Sequence, residues 1–117
     1  MKYLLLCCFE EARWAQLPAA ERDGIMNAYG KLIQELKQRG QLLAGAKLDA
    51  SASASTVRAK TGQAVLTDGP FAETKEQLGG YHLIECQNRD EAIAIARRIP
   101  TLAAGGAVEV RPVMHTE

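Results

Sequence analysis

The sequence has no surplus charge, no long apolar run and no cofactor fingerprint. Fourteen Lys and Arg residues balance fourteen Asp and Glu residues, so no global field draws the chain to nucleic acid or to an anionic membrane. No apolar stretch approaches the ~20 residues that a membrane-spanning helix needs. The opening run behind Lys2 is cut short by Glu10 and Glu11, with no small-residue cleavage site after it, and so reads as a strand rather than a signal peptide. A cytoplasmic location is expected. The two histidines, His82 and His115, are far apart and no Cys-x-x-Cys is present, which excludes any recognisable metal-ligand spacing. P-loop, dinucleotide-glycine and Gly-x-Ser-x-Gly patterns are also missing, so no cofactor is expected. The three cysteines, Cys7, Cys8 and Cys86, are an odd number in strand-like segments. Neighbours on a strand point to opposite faces, so Cys7 and Cys8 cannot act as a pair and read as small buried hydrophobes.

What is present is enough for one globular domain spanning residues 1–117, with 47% hydrophobic and 24% charged residues. Residues 2–9 form a strand that is apolar on both faces, Tyr3, Leu5, Cys7 and Phe9 on one and Leu4, Leu6 and Cys8 on the other. A helix then starts at Pro18 and runs to about Arg39, with Ile25, Tyr29, Leu32, Ile33 and Leu36 at 3.6-residue spacing and Gly40 as its stop. Lys31, Glu35 and Arg39 make an i, i+4 ladder on its solvent side. A second strand covers 42–48, and the small polar stretch 49–55 reads as a mobile connection.

Residues 56–60 and 63–67 flank Thr61-Gly62 as a β-hairpin. Residues 73–78 are expected to make one helical turn, and Gly79-Gly80 to admit the chain to a strand over 81–87. Asn88 with Glu91 forms a capping box for a helix from Arg89 to Ile99, which ends at Pro100 and carries Arg97 and Arg98 in its last turn. A last strand spans 107–113.

The order is β-α-β-β-α-β with an inserted β-hairpin, an α+β ferredoxin-like pattern with an antiparallel sheet. Two helices cover one face of such a sheet, yet Leu83 opposes Ile84 and Val110 opposes Val113, so both faces carry apolar side chains. A second copy of the chain is the expected cover, making a homodimer.

The stretch Thr67-Asp68-Gly69-Pro70-Phe71-Ala72-Glu73-Thr74-Lys75-Glu76 asks for more than folding requires. Pro70 fixes its own φ and restricts Gly69, so a carboxylate is held at a sharp bend. Together with Gly79-Gly80-Tyr81-x-Leu83-Ile84-Glu85, Arg98-Ile99-Pro100 and Gly106-x-Val108-Glu109-Val110-Arg111-Pro112, the motif resembles the YCII-related proteins of the DGPF group. The resemblance implies a ferredoxin-like fold that dimerises as an α+β barrel, in bacteria whose genes for such proteins often adjoin those of extracytoplasmic-function sigma factors. It also implies a His-Asp site with the histidine in the first helix. Aligned on Gly40 and Leu42-Leu43, that position is Tyr29 here, and a phenol is a poor base at neutral pH.

The expected function is binding of a small organic molecule in a cleft near the bend, with Asp68, Tyr29, Phe71, Lys75 and His82 as candidate ligand-binding residues. Four of them have a plainer use: Asp68 as a turn residue, Lys75 as a solvated charge, Tyr29 and His82 as core. The alternative function is an accessory protein that contacts a transcription factor such as a sigma factor.

Overall fold

In the computed structural model, which describes residues 1–117, strand β1 (Lys2–Phe9) runs through the middle of a four-stranded antiparallel sheet. The remaining elements are α1 (Glu11–Gln16), α2 (Ala19–Gln38), β2 (Leu42–Lys47), β3 (Ser55–Lys60), β4 (Gln63–Asp68), β5 (Gln77–Glu85), α3 (Arg89–Ala96) and β6 (Ala107–Pro112), with 3-10 turns at Ser51–Ser53 and Pro100–Ala104. The order β2-β5-β1-β6 is that of a ferredoxin-like sheet. Along β1 the burial alternates with period two: Tyr3, Leu5 and Cys7 are buried, and Leu4, Leu6 and Cys8 are half-buried. The buried set joins Leu32 and Leu36 of α2, Ile84 of β5, and Ala92, Ile95 and Ile99 in and after α3 to form the core.

The expected start of α2 holds, with Pro18 immediately before Ala19, and Gly40 takes a φ of 69° just past its end. Glu35 does not complete the expected ladder along the helix. Its carboxylate pairs instead with Arg98, 2.5 Å away. That pair also revises Arg98, which lies beyond α3: the helix stops at Ala96, three residues earlier than expected, as the chain turns toward Pro100. Asn88 caps α3 as anticipated, its Oδ1 accepting the Glu91 N–H at 2.9 Å.

Two expectations for the chain after the bend are corrected. Residues 73–78 make no helical turn, because Thr74 Oγ1 donates to Glu76 O and the Gln77 side chain returns to Thr74 O, which ties the chain in a bend. Strand β5 starts at Gln77, so Gly79 and Gly80 lie inside it rather than before it. A Cβ on Gly79 would sit 2.0 Å from Cε1 of Phe9, and the register skips this residue between Cys7↔Gly80 and Cys8↔Leu78. Gly79 is thus the extra residue of a β-bulge, placed where an aromatic ring lies on the backbone. Helix α1 was not foreseen, and the 49–55 connection contains the Ser51–Ser53 turn, whose Ser51 N–H donates to the Glu11 carboxylate.

The hairpin forms with its turn at Thr61 (φ 49°) and Gly62 (φ 80°), the two positive angles of a type I′ turn. It makes its own two-stranded sheet, the arm of the molecule, and Val57 and Leu66 are 67% and 66% exposed on it. Leu4, Leu6, Cys8, Tyr81 and Leu83 line the sheet face away from the core and remain half-buried.

The contrast between core and arm is measurable by urea denaturation. Leu36→Ala, deep in the core, should cost about 2–5 kcal/mol, whereas Leu66→Ser on the arm should change monomer stability by less than about 0.5 kcal/mol.

Candidate functional site

Helix α2 and edge strand β2 do not close on one another, and a cavity of about 470 Å³ lies between them and the sheet. One stripe of α2, Tyr29, Ile33 and Lys37 at four-residue steps, faces into it, with Met26 and Gly30 beside them. Strand β2 contributes Leu42 to Lys47, and Cys7, Gly80 and His82 lie on the sheet side. Phe9 and Trp14 close one end, their ring centroids 6.2 Å apart in an edge-to-face arrangement. The opening exists because residues with no side chain occupy its floor. In the strand register Gly45 stands beside His82, and Gly80 stands between Cys7 and Lys47.

The polar groups of this cavity are linked. Tyr29 OH makes a short hydrogen bond with His82 Nε2, and Cys7 Sγ lies 3.5 Å from the same hydroxyl. His82 is 8% exposed, and its second ring nitrogen, Nδ1, has no hydrogen-bond partner. A Cβ on Gly45 would come within 2.6 Å of that nitrogen, so the glycine is what leaves room beside it.

Burial sets the protonation states. It lowers the His82 pKa, so the imidazole is neutral at physiological pH. It raises the Tyr29 pKa far above that of an ordinary phenol, an effect reinforced by the hydrogen bond with Cys7. The Cys7 thiol is likewise raised, chiefly by burial. The trio is therefore uncharged, and its imidazole and hydroxyl can each donate or accept a hydrogen bond.

Of the five candidates from sequence, Tyr29 and His82 meet at this cavity. Asp68, Phe71 and Lys75 do not line it. Asp68 is the exposed last residue of β4, where Gly69 (φ 99°) turns the chain, its N–H donating to Ala54 O and its carbonyl accepting from Thr56 Oγ1. Phe71 is 77% exposed, so it is no anchor within this chain, and its carbonyl accepts from Arg58 Nη2. Lys75 pairs with Glu10 at 3.8 Å. Just past the motif, at the start of β5, Gln77 Oε1 accepts the Glu11 N–H at 3.2 Å. Sequence reasoning passed over Trp14, Gly45 and the glycine pair as cavity formers. A glycine inside a strand is the signal that marks close approach, and Gly45 carried it.

Comparison with known proteins agrees with this architecture. The YCII-related domain is matched over residues 1–117. The chain belongs to the YCII-related family. An uncharacterized protein of Rhizobium meliloti (strain 1021) is 35% identical over 114 residues, covering 97% of this chain and 92% of the relative. Among solved structures, 5-chloro-2-hydroxyhydroquinone dehydrochlorinase from Burkholderia phenoliruptrix AC1100, in complex with 2,5-dihydroxybenzoquinone, superposes with a TM-score of 0.58. That likeness covers 99% of this chain and 96% of the other at 19% identity, and it concerns the fold.

Two consequences of the buried pair are open to measurement. Tyr29→Phe leaves His82 Nε2 without its partner and should destabilise this YCII-related domain by about 1–3 kcal/mol in urea titrations. Because the folded His82 pKa lies below the unfolded 6.5, the unfolded chain takes up the proton first on acidification. The histidine's contribution is thus whole above pH 6.5 and is lost as pH falls from there toward the folded pKa. His82→Gln should flatten that part of the stability–pH curve.

Proposed function

We propose that this YCII-related protein binds a small, largely apolar organic molecule in the α2–β2 cavity, with the Tyr29–His82 pair meeting the molecule's polar group. The observation that carries the reading is a linked, uncharged Tyr–His–Cys trio at a mostly apolar cavity of about 470 Å³, with one buried ring nitrogen left unpartnered. Ligand sites are typically of this size, mostly apolar with a few convergent polar groups. The Burkholderia enzyme of similar fold was solved with a single substituted ring, which sets a reasonable scale for probes. A neutral imidazole beside a neutral phenol can also accept or return one proton, so cofactor-independent proton transfer is within the pair's reach.

The reading takes the functional unit as a homodimer. The half-buried face of Leu4, Leu6, Cys8, Tyr81 and Leu83 suits a second copy related by a two-fold axis. A second reading, docking of a protein such as a sigma factor, draws on the exposed Val57, Leu66 and Phe71 of the arm and bend. The two readings place the sensitive residues in different parts of the chain.

The test is a thermal-shift series with single-ring phenols, hydroquinone and catechol among them. A probe at about 100 times its Kd should stabilise by roughly 2.7 kcal/mol, a shift of several degrees. Gly45→Val, which fills the space beside His82, should abolish the shift, and Asp68→Asn should preserve it. Silence across the series, together with a sigma factor retained by the wild type and released by Leu66→Asp, would favour the second reading.

A further inference from the structure

The cavity departs from the balanced charge of the whole chain. Its lining contains two formal charges, Lys37 and Lys47, and neither an aspartate nor a glutamate. Neither ammonium is neutralised by its surroundings, since the ion pairs of this chain join the N-terminus to Glu85, Lys75 to Glu10, Arg98 to Glu35 and Arg111 to Glu109. Either lysine alone would be an ordinary solvated charge. The place of Lys47 in the strand register makes it more than that.

Lys47 pairs across β2–β5 with Gly80, and Gly80 pairs across β5–β1 with Cys7. Residues directly opposite in neighbouring strands share a sheet face, so Cys7, Gly80 and Lys47 form one row on the cavity side. Two strand spacings, about 9–10 Å, separate the ends of that row. Its middle member has no side chain. The Tyr29 hydroxyl stands at one end, 3.5 Å from Cys7 Sγ, and the Lys47 side chain springs from the other. Gly45, in the adjacent row beside His82, widens the same bare floor. The Phe9 ring lies against Gly79, next along β5, and with Trp14 closes the side. The slot is therefore flat-floored, aromatic-walled, neutral and hydrogen-bonding at one end and cationic at the other. Lys37, on the α2 stripe that carries Tyr29 and Ile33, adds to the positive potential and meets no opposing acid.

Resting on the cavity reading above, we infer that the ligand is an aromatic acid: a single ring over Gly80, with a hydroxyl toward Tyr29 and His82 and a carboxylate at Lys47. A carboxylate suits the cationic end because an ionised acceptor makes a hydrogen bond roughly twice as strong as a neutral one. The opposite end, being uncharged, suits a phenol hydroxyl, which can donate to or accept from the Tyr29–His82 pair.

The sole tryptophan of the chain, Trp14, lines the cavity, so intrinsic fluorescence reads its occupancy. The probes are 4-hydroxybenzoate and its neutral counterparts 4-hydroxybenzamide and 4-hydroxybenzyl alcohol, titrated into the wild type, Lys47→Met and Lys37→Met, with thermal shift as a second readout. The acid should bind about tenfold more tightly than the amide at low salt, as expected when a charged partner replaces a neutral one. Added salt should shrink that preference. Lys47→Met should bring the acid down to the amide's affinity and leave the amide within about twofold, with Lys37→Met producing a smaller loss of the same sign. Amide or alcohol binding as tightly as the acid would overturn the inference while leaving the cavity reading intact. An acid preference that survives Lys47→Met would overturn the placement of the carboxylate. If no probe changes either the fluorescence or the melting of the wild type, the cavity reading fails along with the inference.

Discussion

A central strand that is apolar on both sides cannot be satisfied by a single layer of helices. Strand β1 imposes that condition on this protein. Its Tyr3, Leu5 and Cys7 face draws in Leu32 and Leu36 of α2, Ile95 of α3 and Ile84 of β5, and so fixes on which side of the sheet the helices must lie. Its Leu4, Leu6 and Cys8 face, extended by Tyr81 and Leu83, is left half-covered by the chain itself. The area at stake is the ordinary hydrophobic driving force, about 25 cal/mol per Å² of apolar surface. The core, the covering helices and the case for a second copy all descend from that two-sided pattern.

The cavity follows from where the packing is withheld. In β2 and β5, three glycines take positions at which larger side chains would fill the space under α2. At two of them an added methyl group would strike an aromatic ring: His82 at Gly45 and Phe9 at Gly79. A glycine in a strand interior costs packing and backbone entropy. Here the vacated volume opens a mostly apolar space beside the Tyr29–His82 contact, and burial keeps both groups neutral. Stability and site are thus set against each other at the same residues, a common arrangement where a pocket must stay open.

The bend that stands out in the sequence plays a different structural part in the chain from the one its composition suggests. Gly69 and Pro70 end the arm and redirect the chain toward β5, and Thr56, Arg58 and Ala54 supply the hydrogen bonds that hold the turn. Asp68 and Phe71 are left exposed by this geometry, while Lys75 reaches back to Glu10 near the start of α1. Glu10 and Glu11, between Phe9 and Trp14 in the chain, are thereby joined to Lys75 of the motif and to Gln77 just after it, and not to Asp68.

Periodicity and turn chemistry made most of the fold legible. Alternation in β1, the 3.6-residue stripe of α2, the Thr61-Gly62 turn and the Asn88 cap are each decided by residues within a few positions of one another, so the sequence carries them directly. Tyr29 and His82 were also legible as candidates, one from the helix and one from the strand. Their meeting was not, because they are 53 positions apart and only the antiparallel placement of β5 beside β1, under α2, brings the rings together. The same holds for the ion pair of Glu35 with Arg98, which replaces a plausible local ladder by a contact between separate elements. Gly79 and Gly80 show the limit most plainly: a glycine pair announces a special backbone locally, but whether it bounds a strand or makes room within one depends on the ring that lies over it.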